Sequence, residues 1–196
     1  NRALKGEKVA YFNHPENILH DDLEVIDMKN GRCVRLCQGK FKNITVYSEH
    51  PEEIAALWQE KKATFLHLVD LDGALAGRSV NEETIKKIVS SVNIPVEIGG
   101  GIRSEEAIKN MLALGVKRVI IGTKAVEEPE FLKDMVEKFG ADAIAAGVDA
   151  KDGMVAIQGW EQVSTVTATD LCLKMKEYGV KHIIYTDISR DGMLSG

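Results

Sequence analysis

Residues 25–34 read VIDMKNGRCV, and residues 147–156 read GVDAKDGMVA. The two stretches share an aspartate, a lysine and a glycine at the same spacing, so that Asp27 corresponds to Asp149. Self-similarity of this kind indicates that one structural unit occurs more than once in a chain. The sequence therefore predicts a duplicated architecture with one aspartate in each copy.

A second pair of similar stretches follows the first in the same order. Residues 69–77 read VDLDGALAG and residues 186–196 read TDISRDGMLSG, which places Asp72 opposite Asp191. Two copies of a four-unit block predict an eight-unit closed barrel of parallel strands and helices. In such a barrel the aspartates of the first pair would lie about half a turn apart around its mouth.

The hydrophobic pattern between these stretches alternates short β-branched runs with longer amphipathic ones, which is typical of an α/β fold with a parallel sheet. The predicted strands are LEVIDM, FLHLVDL, IPVEIGG, RVIIGT, AIAAGVDA and HIIYTDIS. The predicted helices are EEIAALWQEKK, NEETIKKIVSSV, SEEAIKNMLALG, EPEFLKDMVEKFG and TATDLCLKMKEYG. The fold class expected is thus a TIM (β/α)8 barrel, incomplete in this chain, with about six βα units.

The expected organisation is an N-terminal segment, residues 1–22, without a recognised match, and a barrel domain, residues 23–196, lacking units 7 and 8. A barrel without two units would expose strand edges. We expect either association with another chain across that gap or a rearranged, incompletely closed sheet. The strand-like run GEKVAYFN, residues 6–13, is a candidate to pair with one edge.

The composition indicates which classes of ligand and partner the protein is not expected to bind. The net charge of -5 and the sequence pI near 5.6 argue against a nucleic-acid surface, so an anionic ligand would need local donors. No apolar run reaches membrane-spanning length, which predicts no membrane partner. Cys33, Cys37 and Cys172 form no CxxC pair and have no histidine at metal spacing. We therefore expect no metal site and a cytoplasmic protein.

Polar residues at the carboxyl ends of the predicted strands are the catalytic candidates, because barrel active sites are built there. Taken singly, short acidic residues at such positions are equally well explained as caps of turns. A symmetric pair in duplicated motifs is harder to explain in that way. The catalytic candidates are Asp27, Asp149, Thr186 and Asp191.

Two glycine-containing loops are candidates for phosphate binding. GGGIRS includes Gly100, Gly101 and Arg103, and IIGT includes Gly122 and Thr123. Glycine permits close backbone approach, and the N–H groups at a helix start attract anions. The alternative for three consecutive glycines is an ordinary turn.

Trp160 lies in a QGW run after the fifth predicted strand. It is a candidate to stack on a flat ring or a ribose of the substrate. The alternative is a loop tryptophan that closes a hydrophobic edge.

The motifs taken together resemble the phosphoribosylformimino-5-aminoimidazole carboxamide ribotide isomerase family of histidine biosynthesis. The resemblance runs from about residue 25 to residue 196 through IDMKNGRCVRLCQG, HLVDLDGALAG, IPVEIGGGIRS, RVIIGT, GVDAKDG and YTDISRDGMLSG. It implies an Amadori rearrangement of an aminoaldose to an aminoketose, on a small-molecule substrate with a phosphate at each end and with no cofactor.

By motif, Asp27 is similar to the family's proton acceptor and Asp149 to its proton donor, while Asp191 also stands where it could supply the acid. The glycine loops after strands 3 and 4 resemble one phosphate site. Three alternatives remain open. They are a dual-substrate isomerase that also handles phosphoribosylanthranilate, the related cyclase, and a barrel fragment that binds phosphate without turnover.

Overall fold

A computed structural model describes residues 10–11, 23–35, 44–157, 160 and 162–189. The strands are β1 (Ala10–Tyr11), β2 (Leu23–Lys29), β3 (Arg32–Arg35), β4 (Thr45–Ser48), β5 (Phe65–Asp70), β6 (Val96–Gly99), β7 (Arg118–Ile121), β8 (Ile144–Lys151), β9 (Met154–Ile157), β10 (Gln162–Thr167) and β11 (His182–Asp187). The helices are α1 (Pro51–Glu60), α2 (Leu71–Ala76), α3 (Glu82–Ser91), α4 (Glu105–Ala113), α5 (Thr123–Glu127), α6 (Pro129–Phe139) and α7 (Ala168–Glu177).

The chain divides into two compact units. The first unit comprises His20–Val34 and Val46–Ile121, and the second comprises Asn1–Leu19, Arg35–Thr45 and Gly122–Gly196. In the first unit β2, β5, β6 and β7 run parallel as neighbours, and β3 returns antiparallel beside β2. Apolar side chains of these strands and of the helices between them form its core. Fully buried members are Ile26, Leu66, Leu68, Ile85, Ile88, Ile98, Ile108 and Met111.

In the second unit β8 and β11 run parallel, and β9 folds back antiparallel beside β8. The strand β10 pairs with β9, while β1 lies antiparallel against β11. The strand-like N-terminal run therefore contributes the two paired residues Ala10 and Tyr11. The helices α6 and α7 bury Leu132, Leu171 and Met175.

The α/β class and the six predicted strands are confirmed, as are the five predicted helices. Ser104 caps the start of α4, because its hydroxyl accepts a hydrogen bond of 3.2 Å from the Ala107 N–H. Gly115 and Gly179 end helices with φ of +97° and +79°, which L side chains rarely adopt. None of the helices described between residues 51 and 177 is long and apolar enough to cross a membrane.

Candidate active site

Asp27 lies on β2 directly before a tight hairpin. Ile26 and Met28 on either side of it are fully buried, so the strand's alternation turns the Asp27 side chain to the opposite, partly exposed face. Lys29 pairs with Arg32 across a two-residue loop in which Asn30 and Gly31 have φ of +50° and +74°. An Asn-Gly pair favours this loop, because both central residues of a type I′ turn need positive φ.

Asp149 lies in the same setting on β8. Buried Val148 and Ala150 flank it, and Asp149 itself is partly exposed. Lys151 pairs with Met154 across a two-residue loop, in which Asp152 and Gly153 have φ of +52° and +80°. The repeat seen in the sequence is therefore a repeat of structure, namely a strand, a type I′ turn and a returning strand.

Each aspartate has a different residue beside it on its own neighbouring parallel strand. Asp27 is in register with Val69 on β5, whereas Asp149 is in register with Thr186 on β11. Neighbouring strands lie about 4.8 Å apart, so in-register side chains share one face and are within reach of each other. The structure thus brings together two predicted site residues, Asp149 and Thr186. The fourth catalytic candidate, Asp191, lies outside the described residues.

Gly100 and Gly101 are required by the first unit's own backbone. Gly100 has φ +99°, and a Cβ there would lie 2.2 Å from the Asp70 carbonyl oxygen. Gly101 has φ +77°, and its Cβ would lie 2.7 Å from the carbonyl oxygens of Gly73 and Arg78. The loop after β6 therefore packs directly on the backbone around α2, and this packing alone explains both glycines.

At position 122, in contrast, no neighbouring atom requires glycine. Its φ is -94°, and a Cβ built on it would meet nothing within 4 Å. Thr123 follows it as the first residue of the short helix α5. The absence of a side chain at Gly122 leaves open space above the backbone at the carboxyl end of β7.

Arg103 and Trp160 are placed by local contacts. The exposed Arg103 donates from Nη2 to the Ala74 carbonyl oxygen at 3.5 Å, and its guanidinium lies against Gly77 at the end of α2. A cation is favourable at this position because the carbonyl end of a helix carries partial negative charge. Trp160 is partly exposed and has a left-handed backbone, with φ of +72°.

A polar network at the carboxyl end of β5 was missed by the sequence analysis. Buried Asp70 begins α2 by accepting from the Gly73 N–H at 2.8 Å, and it also accepts from the Asn81 side chain at 2.7 Å. Asn81 donates as well to Asp72 at 2.9 Å. Burial opposes ionisation of Asp72, but hydrogen bonds from Asn81, Asn30 and Lys29 outweigh it and lower the pKa of Asp72 below its ordinary value.

A second network lies nearer the amino-terminal ends of the same strands. Glu97 is fully buried on β6, with His67 Nδ1 2.7 Å from its Oε1 and Arg118 Nη1 3.0 Å from its Oε2. The three residues are in register across β5, β6 and β7. His67 is therefore a hydrogen-bonded core histidine. Of the network's members, Glu97 and Arg118 carry no signal of their partnership in the local sequence.

Comparison with known proteins adds to this geometry. Residues 23–196 match the family described as Histidine biosynthesis protein. A 1-(5-phosphoribosyl)-5-((5-phosphoribosylamino)methylideneamino)imidazole-4-carboxamide isomerase from Lachnoclostridium phytofermentans is 58% identical over 171 residues, which cover 87% of this chain and 72% of the relative. An isomerase of the same name from Desulfitobacterium hafniense is 52% identical over 171 residues, covering 87% of this chain and 68% of the relative.

Proposed function

Because this chain belongs to the histidine biosynthesis protein family, we propose that it carries out the isomerisation after which its relatives are named. It is an isomerase of histidine biosynthesis that converts an aminoaldose into an aminoketose. The TIM-barrel class predicted from the sequence agrees with the family match and with the parallel strand and helix units.

The rearrangement needs an acid and a base at the ribose. An acid protonates the ring oxygen so that the ring opens, and a base removes the proton from the carbon next to the anomeric carbon to give an enolamine. The enolamine becomes the ketone when its hydroxyl loses a proton and the former anomeric carbon gains one. We assign the base to Asp27 and the acid to Asp149, assisted by Thr186. The supporting observation is that both aspartates stand at the same place in two copies of one hairpin unit, at the partly exposed carboxyl end of a parallel strand.

Asp191 stays in the proposal as the alternative acid. Its place in the second sequence repeat, after the strand that carries Thr186, supports this assignment. The choice between Asp149 and Asp191 can be made by comparing Asp149→Asn and Asp191→Asn. The acid is the residue whose loss removes the alkaline limb of the pH profile of kcat.

The phosphate groups of the substrate are assigned to the two glycine loops, with Arg103 contributing positive charge and Trp160 contacting the ring or ribose. The open space above Gly122 supports this assignment, because a backbone without a side chain allows an anion to reach the N–H groups. At Gly100 and Gly101 the support is weaker, since crowding by Asp70 already requires glycine there.

Asp27→Asn tests the catalytic assignment. The amide keeps the shape of the side chain but cannot accept the proton, so kcat should fall by at least about 100-fold while KM changes little. Asp134→Asn, on the exposed face of α6, is the control for loss of one negative charge and should keep full activity. Turnover by Asp27→Asn within about threefold of the parent would remove Asp27 as the base.

A cytoplasmic setting is part of the same proposal. It is supported by Cys33 and Cys172, which are both free thiols in the described part of the chain.

A further inference from the structure

Asn81 connects three separate pieces of the first unit through one side chain. Its Nδ2 donates to Asp70 at 2.7 Å and to Asp72 at 2.9 Å, and its Oδ1 accepts from the Gly31 N–H at 2.9 Å. The side chain is buried, with 7% of the residue exposed. Asn81 therefore ties the end of β5 and the first turn of α2 to the hairpin turn that follows β2.

The chemistry of these partners fixes the orientation of the amide. Carboxylates accept hydrogen bonds and a backbone N–H donates, so the NH₂ group must face Asp70 and Asp72 and the oxygen must face Gly31. An aspartate of the same shape at position 81 could not make this pattern, because it would bring a third carboxylate against the other two.

The hairpin turn is held by side chains that are distant in sequence. The Asn30 N–H donates to Asp72 at 2.5 Å, and the Gly31 N–H donates to Asn81. In a two-residue turn the N–H groups of both central residues point away from the ladder and ordinarily face water. The turn of the second hairpin makes a different contact, in which the Ala168 N–H donates to the Gly153 carbonyl oxygen at 2.9 Å.

We propose that Asn81 is a positioning residue for the isomerisation, which holds the Asn30–Gly31 turn and thereby fixes the carboxyl end of β2 that carries Asp27. This inference rests on the role of Asp27 proposed above. Asp27 is three residues before the turn and is paired on one side with β3, which the turn joins to β2. A displacement of about 1 Å at a reacting group can cost on the order of 100-fold in rate, so loss of this anchor reduces kcat without removing any group that touches substrate.

Two substitutions separate positioning from simple stabilisation. Asn81→Ala removes the three side-chain bonds, and we expect kcat of the folded enzyme to fall by about 10- to 100-fold with KM within about threefold of the parent. Asn81→Asp should show a similar loss at neutral pH. Its deficit relative to the parent should shrink as the pH falls, because a protonated aspartate can again donate one hydrogen bond.

The control is Asn110→Asp on the exposed face of α4, which makes the same change of charge. Its kcat relative to the parent should stay near one at every pH. A purely structural role of Asn81 would lower the melting temperature and leave kcat per folded molecule unchanged in both variants. That result would overturn the proposal.

Hydrogen exchange of the Gly31 amide measures the anchor itself, independently of turnover, and its measurement in the unmodified protein does not require any variant to fold. The Gly31 N–H should exchange slowly in the unmodified protein and at least about tenfold faster in a folded Asn81 variant. Rapid exchange in the unmodified protein would also overturn the proposal. If Asp27→Asn kept its turnover while Gly31 remained protected, the assignment of the base would fail and the anchoring of the turn would stand.

Discussion

Glu97→Gln should destabilise the first unit strongly, although it changes neither the size nor the shape of the side chain. Glu97 is fully buried. One of its carboxylate oxygens lies 2.7 Å from His67 Nδ1, and the other accepts a hydrogen bond of 3.0 Å from Arg118 Nη1. His67 and Arg118 are 7% and 9% exposed, so water replaces neither bond easily. The amide keeps only one acceptor oxygen for these two partners, and it removes the negative charge that pairs with Arg118.

The magnitude follows from the number and kind of bonds affected. A hydrogen bond to a charged group contributes roughly 1.5–3 kcal/mol, and removing one partner of a buried ion pair costs about 3–5 kcal/mol. A neutral amide is cheaper to bury than a carboxylate, and this offsets part of the loss. We therefore expect the free energy of unfolding to fall by about 3 kcal/mol.

Urea denaturation of the parent and the variant measures this difference. With a slope of about 2 kcal/mol per molar urea, the midpoint should move down by roughly 1.5 M. Glu49→Gln is the matched control, because Glu49 is 64% exposed and lies 3.4 Å from Arg32. An exposed pair of this kind contributes less than about 1 kcal/mol. A Glu97→Gln midpoint no lower than that of Glu49→Gln would refute the reasoning.

Two further predictions concern other positions. Gly100→Ala should lower the free energy of unfolding by more than about 3 kcal/mol, because its Cβ would lie 2.2 Å from the Asp70 carbonyl oxygen at φ +99°. Gly122→Ala should leave the urea midpoint unchanged, and it should raise KM if a phosphate group of the substrate binds there. Burial raises the pKa of Cys33 from 9.0 to about 11, so its contribution to stability is complete below pH 9 and is lost as the pH rises towards 11. Between pH 9 and pH 11 the free energy of unfolding of the parent, measured by urea denaturation, should therefore fall by about 2 kcal/mol more than that of Cys33→Ala.

The elements that could be predicted are those whose pattern is local. Strands such as Phe65–Asp70 and helices such as Glu105–Ala113 repeat their apolar residues with the period of their own backbone. The ends of helices can be predicted in the same way, because Ser104 and Gly115 form hydrogen bonds with residues three to five positions away. Position in a repeat likewise pointed to Asp27 and Asp149 without any knowledge of the fold.

The hairpins after Asp27 and Asp149 were missed although a local signal exists. Asn-Gly and Asp-Gly between alternating residues are strong indications of a two-residue turn. The strands Arg32–Arg35 and Met154–Ile157 have four residues each, which is too short for a clear hydrophobic period.

Other features could not be predicted because their causes are distant in sequence. Gly100 is constrained by Asp70, thirty residues earlier, and only the folded chain shows that the loop needs glycine for packing as well as for any ligand. The sequence predicts Asn81 only as the first residue of a helix, yet its partners include Gly31, fifty residues away. Periodicity carries no information on contacts of this kind.

The two copies of the hairpin also suggest how one repeated unit could supply two different catalytic groups. The roles proposed for Asp27 and Asp149, a base and an acid, need unlike surroundings, whereas the two similar hairpins give both aspartates similar backbone surroundings. One difference lies on the neighbouring strands, at the first residues of the second pair of similar stretches. The neighbouring strand offers the apolar Val69 to Asp27 and the hydroxyl of Thr186 to Asp149. Because a hydroxyl can donate to a carboxylate and an isopropyl group cannot, exchanging Val69 and Thr186 changes the surroundings of both aspartates while leaving both hairpins intact.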